Sequence, residues 1–159
     1  MISTSNLNPE QELTPFLVAA KKATYASSSI VDERVLEDGG RELTYADGPL
    51  LYRDRFYGEE QFSGQEVVFR GEQPIWSMSY AGKRCSATLD TEAMYAFLKK
   101  VLYQIPESAP FRGPAQLQQG NFLYLNKSEG NLDQFSGREQ IYYRGELVFE
   151  LEYQGGRIR

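Results

Sequence analysis

Two carboxylates stand in matching surroundings: Glu66 closes the run Phe62-Ser63-Gly64-Gln65-Glu66, and Glu139 closes Phe135-Ser136-Gly137-Arg138-Glu139. A carboxylate pair is the one acid–base device left open, because the 159 residues contain no histidine. A Ser-His-Asp or Cys-His arrangement is excluded on that ground. A hydrolase or lyase built on Glu66 or Glu139 is therefore one reading. Their matched contexts favour another, in which each serves the fold by accepting backbone N–H groups or by pairing with an arginine. Tyr52 and Tyr124 recur in the same way within Leu51-Tyr52 and Leu123-Tyr124, as do Tyr80 and Tyr153. Cross-strand packing is the favoured role for these aromatics.

Residues without a counterpart are the better binding candidates. Trp76 is the sole tryptophan and suits either a core or a stacking surface. Arg112, in Phe111-Arg112-Gly113-Pro114, would suit carboxylate or phosphate capture from a rigid loop, or else a structural ion pair. Arg53-Asp54-Arg55 makes a charged strand that Asn126-Lys127 does not match. The candidate ligand-binding set is thus Trp76, Arg112, Tyr52, Tyr124, Glu66 and Glu139. Cys85 follows Lys83-Arg84, where cations favour a thiolate, yet a lone cysteine after a strand is more simply a small packed residue. No metal is expected: structural zinc lacks its ligands, and the acids Asp32-Glu33 and Glu37-Asp38 have no calcium-loop spacing. Gly155-Gly156 is followed by only three residues, so no helix can receive a phosphate there, and no cofactor is expected.

The elements that must position these residues are legible from spacing. Thr14-Pro15 reads as an N-cap and first helical residue, ahead of an apolar stripe at Phe16, Leu17, Ala20 and Ala23. Lys21-Lys22 would then sit against the negative end of the helix dipole. A second helix begins at Asp90, carries Met94, Phe97, Leu98, Val101, Leu102 and Ile105 on one face, and stops at Pro106. Strands are expected at Glu42–Ala46, Leu50–Tyr57, Glu66–Arg70 and Ile75–Tyr80. A second set falls at Ala115–Gln118, Phe122–Lys127, Glu139–Tyr143 and Leu147–Tyr153. In the last of these, Leu147, Phe149, Leu151 and Tyr153 alternate with Val148, Glu150 and Glu152.

The matched segments recur at an offset of about 73 residues. The expected fold is α+β and internally duplicated, each half one helix followed by an antiparallel meander of about four strands. A lead-in over 1–13 would precede a single domain of two repeats, about 14–84 and 88–159. About eight strands would form one curved sheet or two abutting sheets with the helices on one face. The groove between helices and sheet is then the natural ligand site. Ser27–Arg41, rich in acids and glycine, reads as a loop.

Composition sets outer bounds. A chain of this length buries one core without staples, and a single cysteine permits no internal disulfide. A formal charge of −5 argues against direct nucleic-acid binding, which needs basic residues to displace counterions. The N-terminal segment has no basic or apolar region of a signal peptide, and the longest apolar run, Phe16–Ala20, is far too short to span a membrane. A cytoplasmic location with no membrane partner is expected.

Phe111-Arg112-Gly113-Pro114, Phe122-Leu123-Tyr124, Phe135-Ser136-Gly137-Arg138-Glu139 and Tyr153-Gln154-Gly155-Gly156 together carry a resemblance. The chain resembles an uncharacterised bacterial domain of unknown function that occurs alone or behind a Cro/C1-type helix-turn-helix in predicted regulators. The likeness spans about Leu13 to Arg159 and implies no catalytic residues. Ahead of the first helix there is no room for a DNA-binding domain in this sequence. The leading expectation is a non-enzymatic module that binds a small molecule or a protein, with a regulatory role. The carboxylate-dependent enzyme is the alternative. An obligate homodimer, or a partner-neutralising protein of a toxin or defence system, is the third.

Overall fold

Among the described residues, nine strands hydrogen-bond into one antiparallel sheet that carries two helices. The computed structural model describes residues 9–27, 32–86 and 88–159. In chain order the elements are α1 (Pro9–Ala23), β1 (Arg34–Val35), β2 (Arg41–Asp47), β3 (Leu50–Gly58), β4 (Gln61–Arg70) and β5 (Gln73–Arg84). Then come α2 (Thr91–Leu102), β6 (Gln116–Gln119), β7 (Phe122–Gly130), β8 (Gln134–Tyr143) and β9 (Glu146–Arg157). The order across the sheet is β1-β2-β3-β4-β5-β9-β8-β7-β6.

This corrects the expected fold class. The architecture is a single nine-stranded sheet with two helices, not a duplicated pair of helix-plus-meander units. What overturns the expectation is the pairing of β5 with β9, from Trp76 opposite Arg157 to Arg84 opposite Phe149. Two separate meanders would each leave a long strand edge with unpaired N–H and C=O groups. Joining β5 to β9 satisfies both edges at once. A ninth strand, β1, lies within the segment read as a loop. Residues 28–31 of that segment, and 1–8 of the expected lead-in, lie outside the described residues.

Strand boundaries extend beyond the apolar runs. Phe62 to Gln65 lie inside β4, and Phe135 to Arg138 inside β8, because the glycines there make room for side chains from the next strand. The β8–β9 hairpin turns on Arg144 and Gly145, both at positive φ (50° and 81°), the pattern of the tight turn whose twist matches paired strands. Two bulges interrupt the ladder. Opposite Val68/Phe69, Ile75 is left over and its carbonyl accepts from Ile158 N at 3.0 Å; opposite Ile141/Tyr142, Val148 is left over and accepts from Cys85 N at 2.8 Å. The second bulge breaks the alternation expected in β9, so Val148 and Phe149 are both buried.

Both helices cover the same face of the sheet and share one core with it. Helix α2 starts where expected, with Asp90 accepting from Glu92 N (3.0 Å) and Ala93 N (3.3 Å). It buries Met94, Phe97, Leu98, Val101 and Leu102. Helix α1 instead begins at Pro9 and carries Pro15 inside it. The extra turn is held by buried Leu13 and by Glu12, which bonds Arg70 on β4 at 2.7 Å. Among the described residues no helix is long and apolar enough to cross a membrane.

Candidate functional site

The covered face of the sheet is not uniformly apolar. Along β3 the residues pointing under the helices are Leu50, Tyr52, Asp54 and Phe56; β4 contributes Glu66, β5 Tyr80, β7 Tyr124 and Asn126, β8 Glu139 and β9 Tyr153. From above come Lys21 in the last turn of α1, Tyr25 just after it, and Arg112 in the segment between α2 and β6. Lys21, Asp54, Glu66, Arg112 and Glu139 are all buried, the most exposed being Arg112 at 6%. Charges so placed must be paired, and four of them are.

Arg112 grips Glu139 with two hydrogen bonds, Nε to Oε2 at 3.1 Å and Nη2 to Oε1 at 2.6 Å. Glu139 Oε2 also accepts from Tyr124 Oη at 2.5 Å, and Tyr124 Oη accepts from Gly113 N at 3.1 Å. Burial opposes the Arg112 charge, but the Glu139 carboxylate overrides it and holds the guanidinium's pKa well above its usual range. Lys21 Nζ lies 3.3 Å from Glu66 Oε1, which also accepts from Tyr52 Oη. The ammonium donates to the Phe111 carbonyl and sits 5.4 Å from the centre of the Trp76 ring. Burial lowers the Lys21 pKa despite the Glu66 charge.

Asp54 is the exception. Among the described residues its one hydrogen bond is from Tyr80 Oη, at 2.6 Å. Burial, and next the charge of Glu66, push its carboxyl up to about 7. Tyr80 reaches it by lying across β4 at Gly64, where a Cβ would stand 2.3 Å from the Tyr80 hydroxyl oxygen. Tyr153 makes the corresponding reach to Asn126 Oδ1, at 2.7 Å. Three buried polar atoms have no hydrogen-bond partner among the described residues: Tyr25 Oη, Glu66 Oε2 and Trp76 Nε1.

A cleft of about 780 Å³ opens between the helices and β2–β5. Asp54, Tyr80, Arg112 and Tyr25 line its floor, and Leu43, Phe56, Phe62, Tyr95, Leu98 and Leu102 its walls. Its rim carries ion pairs: Arg41 bonds Glu33 (3.2 Å) and Glu59 (3.0 Å), and Arg84 bonds Glu60 (2.5 Å). The Arg112 guanidinium stacks 5.0 Å from the centre of the Tyr25 ring. Grooves on the opposite face, lined by Ser79, Lys127, Glu129, Arg138 and Glu152, are solvated and hold no buried charge. Among the described residues no group of three or more carboxylates and thiols is placed to hold a metal ion.

The structure gathers the six candidate residues under the helices but sends one of them to the cleft. Arg112 lines it; Tyr52, Glu66, Trp76, Tyr124 and Glu139 do not. Trp76, Tyr52, Tyr124, Glu66 and Glu139 are fully buried, with Trp76 stacked on Phe135 at 5.7 Å. Asp54, Tyr80, Tyr25 and Lys21 lie outside the candidate ligand-binding set, although Asp54 belongs to the unmatched charged strand Arg53-Asp54-Arg55. A signal for two of them existed: Asp54 falls in the apolar alternation of β3, and Lys21 continues the helical row Leu13, Leu17. Cys85 is exposed rather than the small packed residue expected, and partial desolvation of its sulfur raises the thiol pKa, against the thiolate its cationic neighbours suggested.

A family model described as Domain of unknown function (DUF5680) matches residues 54–158. The matched span opens at Asp54 and takes in Tyr80, Arg112 and Glu139, while α1 with Lys21 and Tyr25 precedes it. No curated protein matches the chain, and no solved structure does. With about two thirds of its length inside that one model, the chain belongs to the DUF5680 family.

Proposed function

We propose that this protein is a non-enzymatic module that binds a small molecule in the cleft between its helices and its sheet. One observation carries the reading. An apolar-walled cleft of about 780 Å³ converges on buried polar groups, Asp54 and Tyr25, whose hydrogen-bonding capacity the described residues do not use up. The volume falls within the ~300–1,000 Å³ common for small-molecule sites, and a few polar groups in an apolar setting are their usual make-up. Glu66 and Glu139 support a non-enzymatic role, because each is fully buried, bonded to a tyrosine and a cation, and outside the cleft. The resemblance to domains carried behind helix-turn-helix modules gives such binding a use in regulation, exercised through a partner.

The test is fluorescence titration with the uncharged probe N-phenyl-1-naphthylamine, alongside thermal-shift screening of a metabolite library. The expected result is a saturable rise in probe fluorescence that Leu98→Trp, placed in the cleft wall, abolishes while the circular dichroism spectrum is kept. Absence of probe binding together with no library member raising Tm would overturn the reading.

A further inference from the structure

Charge bookkeeping on the covered face leaves a remainder. Two cations, Lys21 and Arg112, face three carboxyls, Asp54, Glu66 and Glu139. Arg112 spends Nε and Nη2 on Glu139, and Lys21 is held against Glu66. Asp54 has only the Tyr80 hydroxyl, and it is the carboxyl that lines the cleft. The groups acting on it are Glu66 from β4, Tyr80 from β5, Arg112 from the α2–β6 segment and Lys21 from α1. The rim adds no compensating excess, since Arg41 and Arg84 are engaged by Glu33, Glu59 and Glu60; Lys99, also at the rim, is exposed. Around the remainder stand the rings of Tyr25, Tyr80, Phe56, Phe62 and Tyr95, whose faces attract cations and whose edges suit apolar bodies.

We infer that the cleft selects lipophilic organic cations, with Asp54 as their counter-charge and the aromatic walls as their packing surface. The inference rests on the ligand-site reading above and names its ligand class. An anion would have to compete with Glu139 for Arg112 and would meet Asp54 and Glu66 as like charges. An uncharged ligand would gain the walls but leave the Asp54 carboxyl with the Tyr80 hydroxyl alone. Because burial and Glu66 hold the Asp54 carboxyl near 7, much of it is protonated at neutral pH in the free protein. Binding of a fixed cation then expels that proton, which makes affinity rise with pH through this range.

Tetraphenylphosphonium and tetraphenylborate share one shape and carry opposite fixed charges. They would be competed against N-phenyl-1-naphthylamine at pH 8 with the full chain. The expected result is displacement by the phosphonium at a concentration at least tenfold lower than by the borate. Its affinity should fall roughly 100-fold between pH 8 and pH 5, as protonation of a group titrating near 7 requires. Asp54→Asn should remove both the charge preference and the pH dependence of the competition. Equal competition, a preference for the borate, no displacement by either, or pH-independent phosphonium binding each overturns the inference and leaves the ligand site standing. If Asp54→Asn does not fold, the wild-type charge preference and pH profile decide. If the naphthylamine does not bind, calorimetric titration with the phosphonium replaces the competition, and absence of heat overturns the inference, while the metabolite screen decides the ligand site.

Discussion

Glu139→Gln keeps the side-chain volume and deletes one charge, so it isolates what the buried arginine pair demands. Glu139 accepts three hydrogen bonds, at 3.1 and 2.6 Å from Arg112 and at 2.5 Å from Tyr124. In the variant the amide NH₂ must face a guanidinium or hydroxyl donor, and Arg112, 6% exposed, becomes a buried cation without its counter-ion. Removing one partner of a buried ion pair costs about 3–5 kcal/mol. For a chain of this size that lowers Tm by roughly 6–20 °C. Urea unfolding can be followed by the fluorescence of Trp76, the sole tryptophan, which is fully buried against Phe135. The midpoint should fall with an unchanged denaturant slope. The double variant Glu139→Gln, Arg112→Met removes both charges and should recover most of the loss. A loss under about 1 kcal/mol for Glu139→Gln, or a double variant no more stable than the single, would refute the argument that the pair is held by mutual charge compensation.

Asp54→Asn should change how stability depends on pH. An acid whose folded pKa lies near 7, above its unfolded value of about 3.9, holds its proton more tightly when folded. Its contribution is fully present below about pH 4 and lost as pH rises to about 7, a span of up to roughly 4 kcal/mol. Urea midpoints measured from pH 4 to pH 8 should therefore show the wild type losing ground to the variant as pH rises; parallel curves would contradict this. Gly64→Ala places a Cβ 2.3 Å from the Tyr80 hydroxyl oxygen and 2.7 Å from the Arg55 carbonyl, so Tyr80 must leave Asp54. Overpacking of this kind costs about 1–3 kcal/mol, read by thermal unfolding, and Gly64→Ala with Tyr80→Leu should regain part of it. A Gly64→Ala protein as stable as the wild type would count against the reach of Tyr80 over β4.

How far the sequence could be read depended on whether local chemistry was decisive. Helix α2 was legible because its cap and most of its apolar row lie within its own segment, although it ends at Leu102, ahead of the expected stop at Pro106. Helix α1 was not, since Pro15 mimics a first helical residue while the true start depends on Leu13 entering the core and Glu12 reaching Arg70. Lys21 and Lys22 look interchangeable in sequence, yet one is fully buried against Glu66 and the other lies over the Tyr103 ring. Asp54 could have been flagged as an acid on an apolar strand face. The pairing of β5 with β9 had no local signal, because no turn connects them to set their register.

That seam has a consequence for how the cleft is assembled. Of the eight strand pairings, seven join strands consecutive in the strand order of the chain, and only β5 with β9 closes over α2 and three intervening strands. Loop-closure entropy of roughly 4 kcal/mol is concentrated in that one step, whereas each hairpin closes cheaply. Asp54 and Tyr80 come from strands before the seam; Tyr95, Leu98 and Arg112 come from the segment between its two halves. All of the cleft's lining lies between Thr24 and Arg112, yet Arg112 is fixed by Glu139 on β8, which joins the first five strands only through β9. The set position of Arg112 beside Asp54 and Tyr80 therefore depends on closure of a seam whose β9 side contributes nothing to the cleft wall.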